Sequence, residues 1–307
     1  MIECRGLRRE YGDLTAVKGL SLTVPSGEIF GLIGPNGAGK TTTIRMICGL
    51  LTPTSGEVSI CGVTVHDHPE LAQTHIGYLS DFFSVYDDLK VWEYLDYFAC
   101  AYRMPAPGRR ERIGEVLAQV GLEVKHDAFI QGLSRGMKQR LGIARAIVHR
   151  PKVLILDEPA SGLDPKSRAD LRNLLLVLRE EGATILISSH VLSELEGFCT
   201  SIGIMEKGVL VRSGKVDEIA REQRQHKVVR VAWLGTAAVA PVLQALPNIS
   251  EVIVNSTEAL FRYSGPTEHL PDVLGALIGS GVRVAAFGEV KQTIEDIYLK
   301  ISHNEVM

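Results

Sequence analysis

Residues 28–41 read Glu28-Ile29-Phe30-Gly31-Leu32-Ile33-Gly34-Pro35-Asn36-Gly37-Ala38-Gly39-Lys40-Thr41. From 29 to 34 the run is apolar on both faces, as a parallel strand covered by helices on each side should be. Residues 34–41 satisfy G-x-x-x-x-G-K-[ST]. Glycines in that pattern let the backbone turn tightly with its N–H groups inward, and those donors wrap phosphate oxygens. Lys40 is placed to reach the β- and γ-phosphates, and the Thr41 hydroxyl to ligate Mg²⁺. Residues 41–50 read as a helix whose N-terminus adds about half a positive charge facing the anion. Strand, glycine loop and helix in that order make Gly34, Pro35, Asn36, Gly37, Ala38, Gly39, Lys40, Thr41 and Thr42 the candidate nucleotide-binding residues.

Two further apolar runs, KVLILD (152–157) and ATILISS (183–189), read as buried parallel strands. Their alternation with helical patterns through about residue 215 indicates α/β architecture. KVLILD leads into two carboxylates, Asp157 and Glu158, which are costly at the end of a buried strand unless paired or on a metal. Successive strand residues point opposite ways. Asp157 is therefore expected to face Mg²⁺, and Glu158 a water beyond the γ-phosphate as its general base. The bland alternative is an acidic helix N-terminus ahead of Pro159. Between these strands lies an insertion, about 82–150, that predicts helices over 90–104, 109–120 and 135–149. Eight of the eighteen aromatic residues fall between 82 and 102. Tyr94 and Phe98, spaced i, i+4, are expected in the core. Phe82, Phe83 and Tyr86 precede the helix and are expected at a partner-binding surface.

A charged, helix-like stretch (216–226) leads into a second unit. Its pattern is strand 227–234, helix 237–246, strands 250–255 and 259–265, helix 268–280 and strand 282–287, a β-α-β-β-α-β order of the ferredoxin-like kind. A last helix is expected over 293–302. The chain of 307 residues thus divides into 1–220 and 221–307, in keeping with a domain of roughly 150 residues. Lys+Arg 33 against Asp+Glu 36 leaves a net charge of −3, which argues against nucleic-acid binding by bulk electrostatics. No stretch approaches the roughly 18 uninterrupted apolar residues of a membrane span. The opening MIECRGLRREYGD lacks a secretory core and cleavage site, so the chain is expected to stay in the cytosol. Its five scattered cysteines contain no C-x-x-C pair and are expected to be reduced and mostly buried.

Leu133-Ser134-Arg135-Gly136-Met137-Lys138-Gln139-Arg140 resembles the LSGGQ signature of ABC-type ATPases, and stands shortly before the aspartate strand as it does in that family. Ser134 also reads as the N-cap of the 135–149 helix, so its hydroxyl and the Gly136 N–H form a second anion site. The resemblance covers about residues 1–220 and implies an α/β P-loop NTPase fold, an ABC-ATPase domain with a helical insertion; the pattern after 220 adds a small C-terminal α+β domain of the ferredoxin-like kind. It also implies two copies set head to tail, each ATP lying between one cradle and the other copy's Ser134 and Gly136. Tyr11 resembles the aromatic that stacks on adenine, with core packing as its alternative. Ser161-Gly162-Leu163-Asp164 resembles the loop communicating across the dimer; Asp164 is also a good helix N-cap. His190, 33 residues after Asp157, resembles the switch histidine at the γ-phosphate.

Three positions depart from the family pattern. Asp81, in IGYLSD, stands where glutamine is usual; its charge would either hold Mg²⁺ through water or repel the γ-phosphate. Arg135 replaces a glycine and adds positive charge beside the anion site. Met137 replaces glutamine and loses a polar contact. Near the C-terminus, residues 293–299 (TIEDIYL) resemble the L-E-D-x-F-L ending of multidrug and polysaccharide exporter ATPase subunits; an ordinary amphipathic helix is the alternative. The resemblance implies an ATP- and Mg²⁺-dependent ATPase with Lys40, Glu158 and His190 catalytic and Thr41, Asp157 and Asp81 on the metal. It would power export through a separate transmembrane permease, at the cytoplasmic face of the membrane, paired with a second copy of the ATPase subunit and without nucleic acid. The permease contact is expected in the insertion near 81–86. The rival is a soluble ABC ATPase acting on ribosomes or DNA. Such proteins usually carry two cassettes or a long coiled coil, and this chain has one cassette and no sustained heptads.

Overall fold

The computed structural model describes residues 1–307 apart from 83, 84, 192, 193, 196, 217, 220–226, 237 and 291–307. The chain divides into two compact units, Met1–Val216 and Asp217–Met307.

The first unit starts with a hairpin, β1 (Ile2–Tyr11) and β2 (Leu14–Val24), and then enters β3 (Ile29–Ile33), the glycine loop and α1 (Lys40–Ile47). Strands β4 (Ser55–Ile60) and β5 (Val63–Thr64) rejoin the hairpin in an antiparallel sheet of order β2-β1-β4-β5. After α2 (Pro69–Thr74) and β6 (Ile76–Leu79) come the insertion helices α3 (Val91–Ala101), α4 (Ala106–Gln119) and α5 (Arg135–Ile147). The chain then runs through β7 (Val153–Leu156), α6 (Pro165–Glu180), β8 (Thr184–Ser189), β9 (Ser201–Glu206) and β10 (Val209–Lys215). The second sheet has the order β10-β9-β3-β8-β7-β6, parallel except for the β10 edge. Every residue of β3, β7 and β8 is buried, as their unbroken apolar runs require. Phe30 and Leu32 of β3 and Ile44, Met46 and Ile47 of α1 share a core with Leu7, Val17 and Val58 of the antiparallel sheet. Burial of each such side chain stabilises by roughly 1.5–3 kcal/mol, so the strand and helix flanking the loop are held from both sides.

In the insertion, Tyr94 is fully buried and lies 5.0 Å from Phe98, ring centre to ring centre. Trp92 stacks on His126 at 6.2 Å. The span assigned to α4 contains Pro107 (ψ 124°) and Gly108 (φ 94°) outside helical geometry, so regular turns begin at Arg109, where the Pro-Gly breaker releases the chain. Helices α1, α3 and α5 end two to three residues earlier than their apolar patterns predict.

The second unit is β11 (Lys227–Leu234), α7 (Val239–Gln244), β12 (Ile249–Asn255), β13 (Glu258–Tyr263), α8 (Leu270–Gly279) and β14 (Arg283–Val290). Its antiparallel sheet has the order β12-β13-β11-β14, the ferredoxin-like arrangement. Val229, Val231 and Trp233 of β11 share a core with Val239, Leu243, Val273 and Leu277 of the two helices. The helix expected over 293–302, most of 216–226, and Phe83 lie outside the described residues.

All five cysteines are unpaired, but only Cys4 and Cys48 are fully buried; Cys61 and Cys199 are half-buried and Cys100 is exposed. The expectation that most are buried is corrected accordingly: Cys100 sits on the outward face of α3. No helix among the described residues is long and apolar enough to cross a membrane.

Candidate active site

The loop from Gly34 to Lys40 is pressed between neighbouring backbones. Gly39 caps α1 with φ 101°, and a Cβ there would stand 2.6 Å from the Ala16 carbonyl. A Cβ on Gly34 would run into the Met205 carbonyl. Only glycine fits either position. The Ala38 N–H donates to the Pro35 carbonyl at 3.1 Å, and the Gly208 N–H to the Ala38 carbonyl at 3.0 Å. Lys40 opens α1, buried, and its ammonium donates to the carbonyls of Gly34 (2.6 Å) and Pro35 (3.3 Å).

Strand β7 ends at Leu156, one residue before the carboxylates. Asp157 is buried; its Oδ1 accepts from the Ser188 hydroxyl at 2.6 Å, while its Oδ2 is buried with no hydrogen-bond partner. An unpartnered buried carboxylate oxygen is costly unless a cation takes it. Glu158 adopts φ 50°, the left-handed region. Strand alternation therefore does not divide the two carboxylates, as the sequence reading expects; a left-handed turn at Glu158 does. Its N–H donates to Ser188 Oγ at 2.9 Å. Its Oε1 lies 3.2 Å from Lys40 Nζ, and its Oε2 lies 2.7 Å from His190 Nδ1. One carboxylate thus joins Lys40 and His190. Ser188, which holds both acidic residues, is absent from the sequence-derived set; its signal was a hydroxyl interrupting the apolar run ahead of His190.

Asp81 is exposed and shares this electrostatic field. Partial burial, then Asp157 and Glu158, push its carboxyl above the ordinary range, while His190 and Arg135 pull the other way. Among the described residues no three His, Cys, Asp or Glu side chains form a metal cluster. A bound cation would therefore complete its shell with phosphate oxygens and water, the usual habit of Mg²⁺. The glycine cradle, Lys40 and the orphaned Asp157 oxygen together fit a metal-bound nucleotide.

Tyr11, at the end of β1, is 46% exposed with the Arg9 guanidinium 4.7 Å above its ring, which rules out the core-packing alternative. Ser134 caps α5, its hydroxyl accepting from the Met137 N–H at 3.3 Å. A Cβ on Gly136 would stand 2.7 Å from Ser167 Oγ. Among the described residues neither Ser134 nor Gly136 bonds to the cradle. Asp164 caps α6, accepting from the Ser167 N–H at 3.0 Å and from its hydroxyl at 2.6 Å; those bonds hold its carboxyl below the ordinary range.

A family model described as ABC transporter matches residues 17–161. The Nod factor export ATP-binding protein I of Ralstonia nicotianae (strain ATCC BAA-1114 / GMI1000) is 34% identical, over 100% of this chain and 95% of its own length. The chain belongs to the ABC transporter family of ATP-binding proteins. The uncharacterized ABC transporter ATP-binding protein YxlF of Bacillus subtilis (strain 168) is 35% identical to this ABC protein, over 99% of the chain and 100% of its own. Among solved structures, the dimeric ATP-binding cassette MJ0796 in a post-hydrolysis state, bound to ADP and Pi, is 28% identical. It superposes with a TM-score of 0.64 over 70% of this chain and 99% of that one. The ABC protein is an ATPase, and the residues that the family model matches lie in its first unit.

Proposed function

We propose that this ABC ATPase drives export through a separate membrane permease, as a pair of cassettes at the cytoplasmic face of the membrane. The observation that carries the catalytic reading is the Glu158 carboxylate joining Lys40 and His190 beside an orphaned Asp157 oxygen. In this reading residues 34–42 cradle the phosphates and Tyr11 stacks on the adenine. Thr41 and Asp157 would hold Mg²⁺, with Asp81 acting on it through water, and the ion would neutralise charge on the phosphate oxygens. Glu158 takes a proton from the attacking water as the bond between the γ-phosphorus and the bridging oxygen breaks, giving ADP and phosphate. Lys40 turns from the Gly34 and Pro35 carbonyls to phosphate oxygens, and His190 holds the γ-phosphate. Catalysis of this kind is mostly positioning and electrostatics. Ser134 and Gly136 would contact the second copy's ATP.

Export is supported by the function that the Ralstonia relative's name carries. The permease contact is proposed at the insertion. Tyr86 and Tyr97, each more than half exposed, line one surface hollow with Val85 and Leu89, and Phe82, four residues before Tyr86, is 92% exposed; exposed apolar groups mark interaction sites.

The test is Glu158→Gln in the purified full chain. Turnover is expected to fall about 10²–10⁴-fold, the usual worth of a general base, with ATP affinity kept and an ATP-dependent dimer visible by light scattering. Turnover at the wild-type rate would show that another residue is the base. Isolated from native membranes with ATP and Mg²⁺, the same variant is expected to carry a stoichiometric polytopic partner. Recovery with ribosomal or DNA-bound proteins alone would overturn the transport reading.

A further inference from the structure

Arg135 departs from the family signature, and its side chain is engaged. It opens α5 directly after the Ser134 cap. Its Nη2 donates to the Ser161 carbonyl at 3.0 Å. The guanidinium lies over Gly162, where a Cβ would stand 2.5 Å from the guanidinium carbon, so the bare glycine makes the room that Arg135 occupies. Ser161 in turn donates its N–H to the Glu158 carbonyl at 3.1 Å. Glu158 itself sits in the left-handed region at φ 50°, a conformation that a non-glycine residue keeps only when its surroundings hold it. Two of those holds are visible: Ser188 Oγ accepts its N–H, and the Ser161 N–H reaches its carbonyl. Two bonds therefore run from the guanidinium to the backbone of the general base, Arg135 to Ser161 and Ser161 to Glu158. A second attachment lies alongside, where Gly136 abuts Ser167, the residue that closes the Asp164 cap of α6.

We propose that Arg135 is a positioning residue for ATP hydrolysis: it ties the start of the signature helix to the loop behind Glu158. Docking of the second copy's ATP on Ser134 and Gly136 then sets the geometry of this chain's own base. The proposal rests on the two-copy reading above. A glycine at 135 has no side chain to make this link. Arginine makes it with a planar fork of donors.

The test uses the full chain with Arg135→Ala and Arg135→Lys, each measured for nucleotide affinity and for turnover across ATP concentration. Arg135→Ala is expected to keep ATP affinity within about twofold while kcat falls about tenfold, the order of effect of a slightly misplaced reacting group. The dependence of rate on ATP is expected to flatten toward a Hill slope of about one, since the two sites no longer report to each other. Arg135→Lys, whose ammonium still offers the Ser161 carbonyl a donor, is expected to recover kcat to within about threefold of wild type. In the Glu158→Gln background, Arg135→Ala is expected to leave ATP-dependent dimerisation intact. Wild-type kcat and Hill slope in Arg135→Ala would overturn the proposal, as would a Lys variant no better than the Ala variant, or a loss confined to ATP affinity. If Glu158→Gln dimerises and Glu158→Gln/Arg135→Ala does not, Arg135 acts in docking; the proposal falls and the two-copy reading stands. If Glu158→Gln stays monomeric with ATP, both fall.

Discussion

At Glu158 an ammonium and an imidazole meet one carboxylate, and each belongs to a different segment: Lys40 to the start of α1 and His190 to the end of β8. Removal of Lys40 would delete the proposed phosphate contact together with a partner of Glu158. Lys40→Ala is therefore expected to abolish turnover; near-normal rates in the purified variant would refute the cradle assignment. Asp81 adds a third negative charge to the field of Asp157 and Glu158. If it serves the metal through water, Asp81→Ala raises the Mg²⁺ concentration for half-maximal turnover by about threefold or more, the effect of a unit charge acting through high dielectric. An unchanged Mg²⁺ titration would show the carboxylate to be silent. Lys40, Asp157, Glu158 and His190 were legible because each ends or follows an apolar run at a set spacing. Ser188 left only a hydroxyl in an apolar run, which does not say that it serves both carboxylates. The left-handed turn at Glu158 was hidden too, since nothing in a single residue letter reports a φ angle.

In the first unit, strands buried on both faces were readable, and the half-exposed opening hairpin was not. Strands β3, β7 and β8 stand out as unbroken apolar runs. Strands β1 and β2 carry Arg5, Arg8, Arg9 and Lys18 among their apolar residues, and their pairing shifts register three times, which erases period-two alternation. Gly39→Ala tests the junction of loop and helix. It forces a side chain against the Ala16 carbonyl in a left-handed conformation, and is expected to destabilise by about 1–3 kcal/mol and weaken ATP binding; unchanged urea midpoints would refute the close approach. His149, just past α5, joins three elements. Its ring lies 3.6 Å from that of Tyr102 beyond α3, and its Nε2 meets the Ile76 carbonyl of β6 at 3.0 Å. Burial pushes its pKa down from 6.5 to about 4. The fold holds this base neutral, so the unfolded chain takes the proton first. The contribution is fully present above pH 6.5 and is lost as pH falls toward 4, by about 3 kcal/mol in total. Urea unfolding at pH 7 and pH 4.5 is expected to show wild type losing about 2–3 kcal/mol more than His149→Phe. Equal losses would mean the histidine is not held neutral.

Over the whole chain, each of the two compact units has a hydrophobic core of its own among the described residues. The second was visible in outline because its β-α-β-β-α-β rhythm is coarse; its helices proved shorter than their apolar patterns, since Pro241 and Pro271 fall in their first turns and set where they start. Phe261 is 1% exposed in that second core. Phe261→Ala is expected to remove about 3–5 kcal/mol from the second unit while ATP affinity of the cassette stays within about twofold. Calorimetry with and without nucleotide checks this, and a shared loss of both would show one cooperative block. The division of the two tryptophans, Trp92 half-buried on the cassette and Trp233 3% exposed in the second core, has an optical consequence. Emission from Trp92 is open to collisional quenchers and follows the cassette. Emission from Trp233 is shielded and blue-shifted and follows the second unit. Trp92→Phe and Trp233→Phe each leave a single native emitter, so either half of the molecule can be watched by fluorescence without an added dye.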